Sequence, residues 1–154
     1  LALVGEPIDW ADPLARVSKY FNVRECLWLP RWQRLASGAE VSPTLLGNVA
    51  GWAARMDQVR DWFAAPLNIH VWLRPPAYNE LIGGAAHSAH LEGIATDFDV
   101  TGLACPFAVD RILQAGMLDK WGMRLEDNAV NGNPVTWLHL DGRAPGESGR
   151  YFVP

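Results

Sequence analysis

His90, Asp97 and His139 are the residues whose types and spacing suit chemistry. The first two lie seven positions apart with Gly93 between them, and the third comes from far downstream. A glycine permits a tight reversal, so a His before the bend and an Asp on the returning strand can converge on one point. A second imidazole from a later strand would complete a set of two His and one Asp. Catalytic zinc commonly uses three nitrogen or oxygen ligands of this kind and keeps a fourth position for water. The metal lowers the pKa of that water from roughly 15.7 to about 7 and polarises a carbonyl, which suits hydrolysis of an amide. A lone His-x6-Asp spacing arises by chance; the string around it carries more weight.

That string reads Ser88-Ala-His90-Leu-Glu-Gly93-Ile-Ala95-Thr-Asp97, with Trp137-Leu-His139-Leu-Asp141 later. Upstream lies Trp72-Leu-Arg74-Pro-Pro-Ala-Tyr-Asn79-Glu-Leu-Ile-Gly83-Gly84. Ser-x-His-x-x-Gly-x-Ala-x-Asp followed by Trp-x-His resembles the signature of the zinc D-Ala-D-Ala peptidases. That superfamily includes D-alanyl-D-alanine carboxypeptidases, related dipeptidases, phage endolysin endopeptidases and the hedgehog signalling domain. Arg74, Asn79 and the Gly83-Gly84 pair occupy the places of the family's segment before the first ligand, and the resemblance runs from about residue 43 to 154.

The resemblance implies that His90, Asp97 and His139 bind Zn2+ and that the substrate is a peptidoglycan peptide. Arg74 would hold a terminal carboxylate or polarise the scissile carbonyl, since its planar fork meets a carboxylate with two parallel hydrogen bonds. Ser88 is expected on the substrate side as a hydrogen-bonding group rather than a nucleophile, and Trp137 as a pocket wall. One position departs from the pattern. Many family members carry a Glu or Asp three residues before the second His, where this chain has Thr136. A threonine hydroxyl cannot act as a general base near neutral pH. Asp141 shares the strand face of His139 and is the first candidate for the base, or for orienting a ligand. Glu126, Asp127 and Asp99 are the alternatives. His87 and Glu92 read as solvated, and His70 as structural. The functional reading is a zinc peptidase cutting stem-peptide or D-Ala-D-Ala amide bonds at the cell wall. The missing carboxylate keeps open a non-catalytic, zinc-containing wall-binding module of the same fold, and beyond it a metal-free structural domain.

These side chains need elements to carry them. Asp12-Pro13 suggests a short helix through Tyr20, a capping residue followed by proline. Ser42-Pro43 opens the clearest helix, with Leu45, Leu46, Val49, Trp52, Ala53, Met56, Val59, Trp62 and Phe63 at helical spacing before Pro66. Asn68 to Leu73 reads as a strand ended by Pro75-Pro76, and Ile94 to Val100 as a second strand. Pro106 to Leu118 reads as an amphipathic helix. Gly122 to Glu126 and Val135 to Asp141 read as two more strands, joined by residues 127–134 with Asn-Gly turn chemistry. Short late connections favour antiparallel pairing. The class is α+β, an antiparallel sheet flanked by helices, with the hedgehog/DD-peptidase arrangement implied by the resemblance. Residues 1–154 are expected as one domain, 1–42 forming an N-terminal extension packed on a 43–154 core.

Composition excludes several classes. The 154 residues are 49% hydrophobic and include eight Trp, which a disordered chain lacks. Thirteen basic against seventeen acidic residues give a net charge of −4, unlike a phosphate-backbone binder, so nucleic acid is not expected as a partner. No apolar run approaches the ~20 residues that cross a bilayer. Residues 1–12 carry Glu6 and Asp9 without a basic leader and do not read as a signal peptide. Cys26 and Cys105 form no Cys-x-x-Cys pair and read as two buried thiols, with a single disulfide as the other option. A monomer is expected.

Overall fold

In the computed structural model, residues 6–128 and 136–154 are described. The expected long helix is α2, Pro43–Phe63. The Ser42 hydroxyl caps it by accepting from the Leu45 N–H at 3.1 Å, and Pro43 occupies the first turn. Val49, Trp52, Ala53, Met56, Val59 and Phe63 form its buried stripe. It ends at Ala64, whose positive φ of 52° closes the last turn before Pro66 is reached.

The stripe of α2 packs on one face of a five-stranded sheet, ordered β3-β4-β6-β5-β7. The strands are β3 Leu67–Val71, β4 Ala95–Val100, β5 Arg124–Glu126, β6 Leu138–Asp141 and β7 Tyr151–Phe152. Pairings are antiparallel from β3 through β5, as short connections predict. β7 runs parallel to β5, so the sheet is not wholly antiparallel. Phe98, Val100, Leu138, Leu140 and Leu125 are buried in the core cluster. A polar link crosses the core where Trp52 Nε1 donates to Thr96 Oγ1 at 2.9 Å, satisfying two buried groups at once.

Several elements differ from expectation. Residues 12–20 form turns rather than a helix. Asp12 caps only a local turn, its carboxylate accepting from the Leu14 N–H, and Asp57 of α2 gathers Ser18, Lys19 and Tyr20. The helix of this region is α1, Val23–Leu27, opened by a reciprocal capping box between Asn22 and Glu25. A small hairpin of β1 (Trp28–Leu29) and β2 (Arg34–Leu35) follows. Pro75-Pro76 ends the strand but also starts α3, Pro76–Leu81, proline being suited to a first helical turn. The Pro106–Leu118 helix divides into α4 (Cys105–Gln114) and α5 (Met117–Trp121) at Gly116, which takes a φ of 63°. Most of the expected 127–134 connection lies outside the described residues. Phe21, Val23, Leu27, Leu29 and Val41 belong to the same hydrophobic cluster as α2 and the sheet. Cys26 and Cys105 are free thiols, and burial raises the pKa of both. Among the described residues, no helix is long and apolar enough to cross a membrane.

Candidate metal centre

His90 lies on a short 3-10 helix, Ala89–Glu92, between β3 and β4. Ser88 caps it, its hydroxyl accepting from the His90 N–H at 3.3 Å, so this side chain contacts the ligand loop's own backbone. Gly93 ends the helix with a φ of 73° and packs on α2, where an added Cβ would come within 2.7 Å of Val49 Cγ2. Any side chain there would meet both backbone strain and a clash. The buried Trp72 fastens the loop twice. Its indole N–H donates to the Gly93 carbonyl at 3.2 Å, and its own carbonyl accepts from His90 Nδ1 at 2.6 Å. Because a carbonyl only accepts, His90 carries its proton on Nδ1 and turns the Nε2 lone pair toward Asp97.

The rest of the group comes from the sheet. Asp97 on β4 pairs with His139 on β6 across the antiparallel ladder. Opposed residues share a face, so their side chains meet. Asp97 Oδ1 lies 3.1 Å from His90 Nε2 and 2.8 Å from His139 Nδ1. One ligand atom from each of His90, Asp97 and His139 falls within 4.8 Å of the others. The donors suit a metal: each imidazole has one nitrogen committed elsewhere and presents the other to the shared point. Two imidazole nitrogens and a carboxylate oxygen are the donor types of an open zinc site. With no metal, the two histidines titrate apart. Burial lowers His90. Burial also opposes charge on His139, but hydrogen bonds to Asp141 and Asp97 prevail and raise it to about 9. Burial pushes Asp97 up as well, yet the hydrogen bond from His139, the largest of the opposing interactions, holds it well below the usual carboxylate range.

Asp141 is not beside the meeting point. It touches the other nitrogen of His139, Nε2, at 3.2 Å. Arg124 grips it with Nε at 2.9 Å and NH2 at 2.8 Å, and the Arg143 N–H donates to it at 3.0 Å. Although burial opposes ionisation, the bonds from His139 and Arg124 keep its pKa near about 2. Arg124 also lies over the Phe152 ring of β7, 4.2 Å from its centroid. Sequence reading had no signal for Arg124 or for the Trp72 carbonyl, because their partners are set by register and loop path.

Of the remaining carboxylates, Asp99 is bound by His70 at 2.6 Å and by Asn68 at 2.8 Å, toward the β3 edge. Asp127 is engaged by the Tyr151 hydroxyl. Glu126 differs. Arg124 pairs with Asp141 and Leu125 with Leu140, so one more step along that ladder sets Glu126 opposite His139. Asp97, His139 and Glu126 thus form one row across β4, β6 and β5. Burial raises the Glu126 pKa, and the charges of His139, Asp97, Asp141 and Arg74 act on it. Its carboxylate has no hydrogen-bond or ion-pair partner among the described residues. Thr136 is exposed.

Arg74 completes the front of the group. Its NH1 donates to Asn79 Oδ1 at 3.1 Å, while its buried Nε has no partner among the described residues. Burial lowers its pKa, opposed first by the charge of Asp97. Gly84 lets the chain close over this pair, since a Cβ there would fall 2.1 Å from Asn79 Oδ1. Trp137 is 42% exposed and lines a cavity together with Glu126.

A family model described as Peptidase M15 matches residues 19–131. The chain belongs to the peptidase M15 family. M15 peptidases are metallopeptidases that typically use zinc, and the His90–Asp97–His139 group gives this member a donor set of that kind. The match includes Arg74, His90, Asp97 and Glu126 and begins well before residue 43, while His139 lies beyond its end. No curated protein and no solved structure matches the chain.

Proposed function

We propose that this M15 member is a zinc-dependent peptidase acting at the cell wall, where it hydrolyses amide bonds of peptidoglycan stem peptides, at D-Ala-D-Ala ends or in cross-bridges. One observation carries the reading: His90 Nε2, an Asp97 oxygen and His139 Nδ1 face one point, with the opposite ring nitrogens held by Trp72 and Asp141. Zinc held there by His90, Asp97 and His139 would supply an acidic water and a Lewis acid for the scissile carbonyl.

The chain's own residues do the rest. Glu126 is the general base in this reading, replacing Asp141. A base needs free lone pairs and a pKa near working pH. Asp141 has committed its oxygens to Arg124, His139 and Arg143, whereas Glu126 sits next to His139 in the sheet row with a raised pKa. Glu126 takes the proton of the attacking water and returns it to the departing amine. Arg74, unneutralised at its buried Nε, binds the substrate's carboxylate or the carbonyl oxygen as charge grows on it. Asp141 fixes the tautomer and angle of His139.

The test is release of new amino groups from purified peptidoglycan by zinc-loaded protein, with and without chelator, and by Glu126→Gln. Cleavage abolished by chelation and by E126Q is expected. Cleavage indifferent to chelator would remove the mechanism. Zinc-loaded protein that binds wall fragments but frees no amines would establish the non-catalytic module instead.

A further inference from the structure

Beside Glu126, away from the three-residue group, lies a cavity of about 150 Å³. A cavity of that size accommodates a ligand of about six heavy atoms, as benzene in an engineered cavity shows. Its walls are apolar, from Pro106, Val109, Leu138 and Trp137, and two carboxylates, Asp110 and Glu126, border it. None of the described side chains lining it carries positive charge. We propose that this cavity is a substrate subsite for a lysine-like side chain, an aliphatic stem ending in a primary ammonium, on a residue flanking the scissile bond. The inference rests on the peptidase reading and names a substrate feature for it.

Each wall has a part in that fit. A four-carbon stem buries its methylenes against Val109, Leu138 and Pro106, which removes apolar surface from water. The ammonium reaches Asp110, which is exposed and bound to no cation among the described residues. Trp137 lines the same cavity, and an indole ring attracts a cation in a way that a neutral side chain cannot match. Tyr151 also lines the cavity, its hydroxyl engaged by Asp127. Burial, that hydrogen bond and the Asp127 and Asp110 charges push the Tyr151 phenol up to about 12. Glu126 serves both places, its carboxylate connecting the cavity to the row of Asp97 and His139.

Two measurements test the subsite. In the first, zinc-loaded protein cleaves a pair of stem-type peptides that differ only in lysine or norleucine beside the scissile bond. The native protein is expected to favour lysine in kcat/KM by about fivefold, the scale of one partly solvated ion pair with its cation–π contact. Asp110→Asn should abolish that preference, bringing the kcat/KM ratio of the two peptides to about one. A native protein with no lysine preference, or D110N that keeps it, overturns the proposal. The second uses metal-free protein, so it is independent of catalysis. N-acetyl-lysine methylamide should shift the Trp137 indole N–H resonance more than the norleucine analogue does, and D110N should equalise the two. Equal shifts in the native protein count against the subsite. A lysine-selective shift in a protein that cleaves nothing would leave the subsite standing and remove the peptidase reading.

Discussion

Behind the His90–Asp97–His139 group, donors and acceptors are matched: Trp72 C=O with His90, Asp141 with His139, Arg124 and Arg143 N–H with Asp141. In front, Arg74 leaves a buried N–H unpaired, Glu126 has a carboxylate without a partner among the described residues, and Trp137 is exposed. An unpaired buried polar group costs on the order of 1–3 kcal/mol, and a fold keeps such groups where something else is meant to meet them. The two regions therefore teach different things. The rear fixes geometry, and the front, in the proposed function, leaves its open interactions to a substrate.

The largest expected effect removes the shared point itself. His139→Ala should reduce bound zinc from one equivalent to background, read by elemental analysis, and activity should vanish with it. Glu126→Gln separates front from rear: kcat is expected to fall about 10²–10⁴-fold with zinc content intact. Arg124→Ala should do the reverse. Loss of its grip on Asp141 weakens zinc affinity by roughly 10–100-fold and lowers unfolding stability, with modest change in kcat once the metal is saturating. If E126Q lost zinc, or Arg124→Ala kept full affinity, the division would be wrong. Arg74→Ala is expected to cost about 10–100-fold in kcat/KM, the scale of a hydrogen bond to a charged group, without loss of thermal stability.

The smallest effect is a pH dependence. His139 in the metal-free protein has its pKa raised from 6.5 to about 9. Its protonation therefore contributes stability fully below about pH 6.5, and this contribution is lost as pH rises toward 9. Zinc competes for that proton, so its affinity should climb across the same interval with proton release, measurable by calorimetry in buffers of different ionisation enthalpy. A flat affinity profile between pH 6.5 and 9 would show that His139 does not hold that proton.

Much of this was legible in the chain. The helical spacing from Leu45 to Phe63, capped at Ser42, gives α2, and the alternation around Asp97 gives β4. The Ser88–Asp97 string places His90 and Asp97 on one loop and strand, and the convergence with His139 follows from a register that short antiparallel strands favour. Other features depend on distant contacts. Asp12-Pro13 has helix-start chemistry, but the Asp57 carboxylate of α2 draws Ser18, Lys19 and Tyr20 into turns. β7 is two residues long, too short to show a period, and exists because the Leu125 N–H donates to the Arg150 carbonyl just before it and the Asp127 N–H to the Phe152 carbonyl within it. The proposed choice of Glu126 over Asp141 as the base has the same origin. Both lie on strand faces near His139, and only Arg124, opposite Asp141, shows which carboxylate is already engaged.

Asp97, His139 and Glu126 occupy one rung across three neighbouring strands, so backbone hydrogen bonding sets their separation at the ~4.8 Å interstrand distance. Connecting segments can then lengthen, shorten or change composition over evolutionary time without shifting these three side chains against one another. Specificity can drift through the loops while the chemistry stays anchored in the lattice of the sheet.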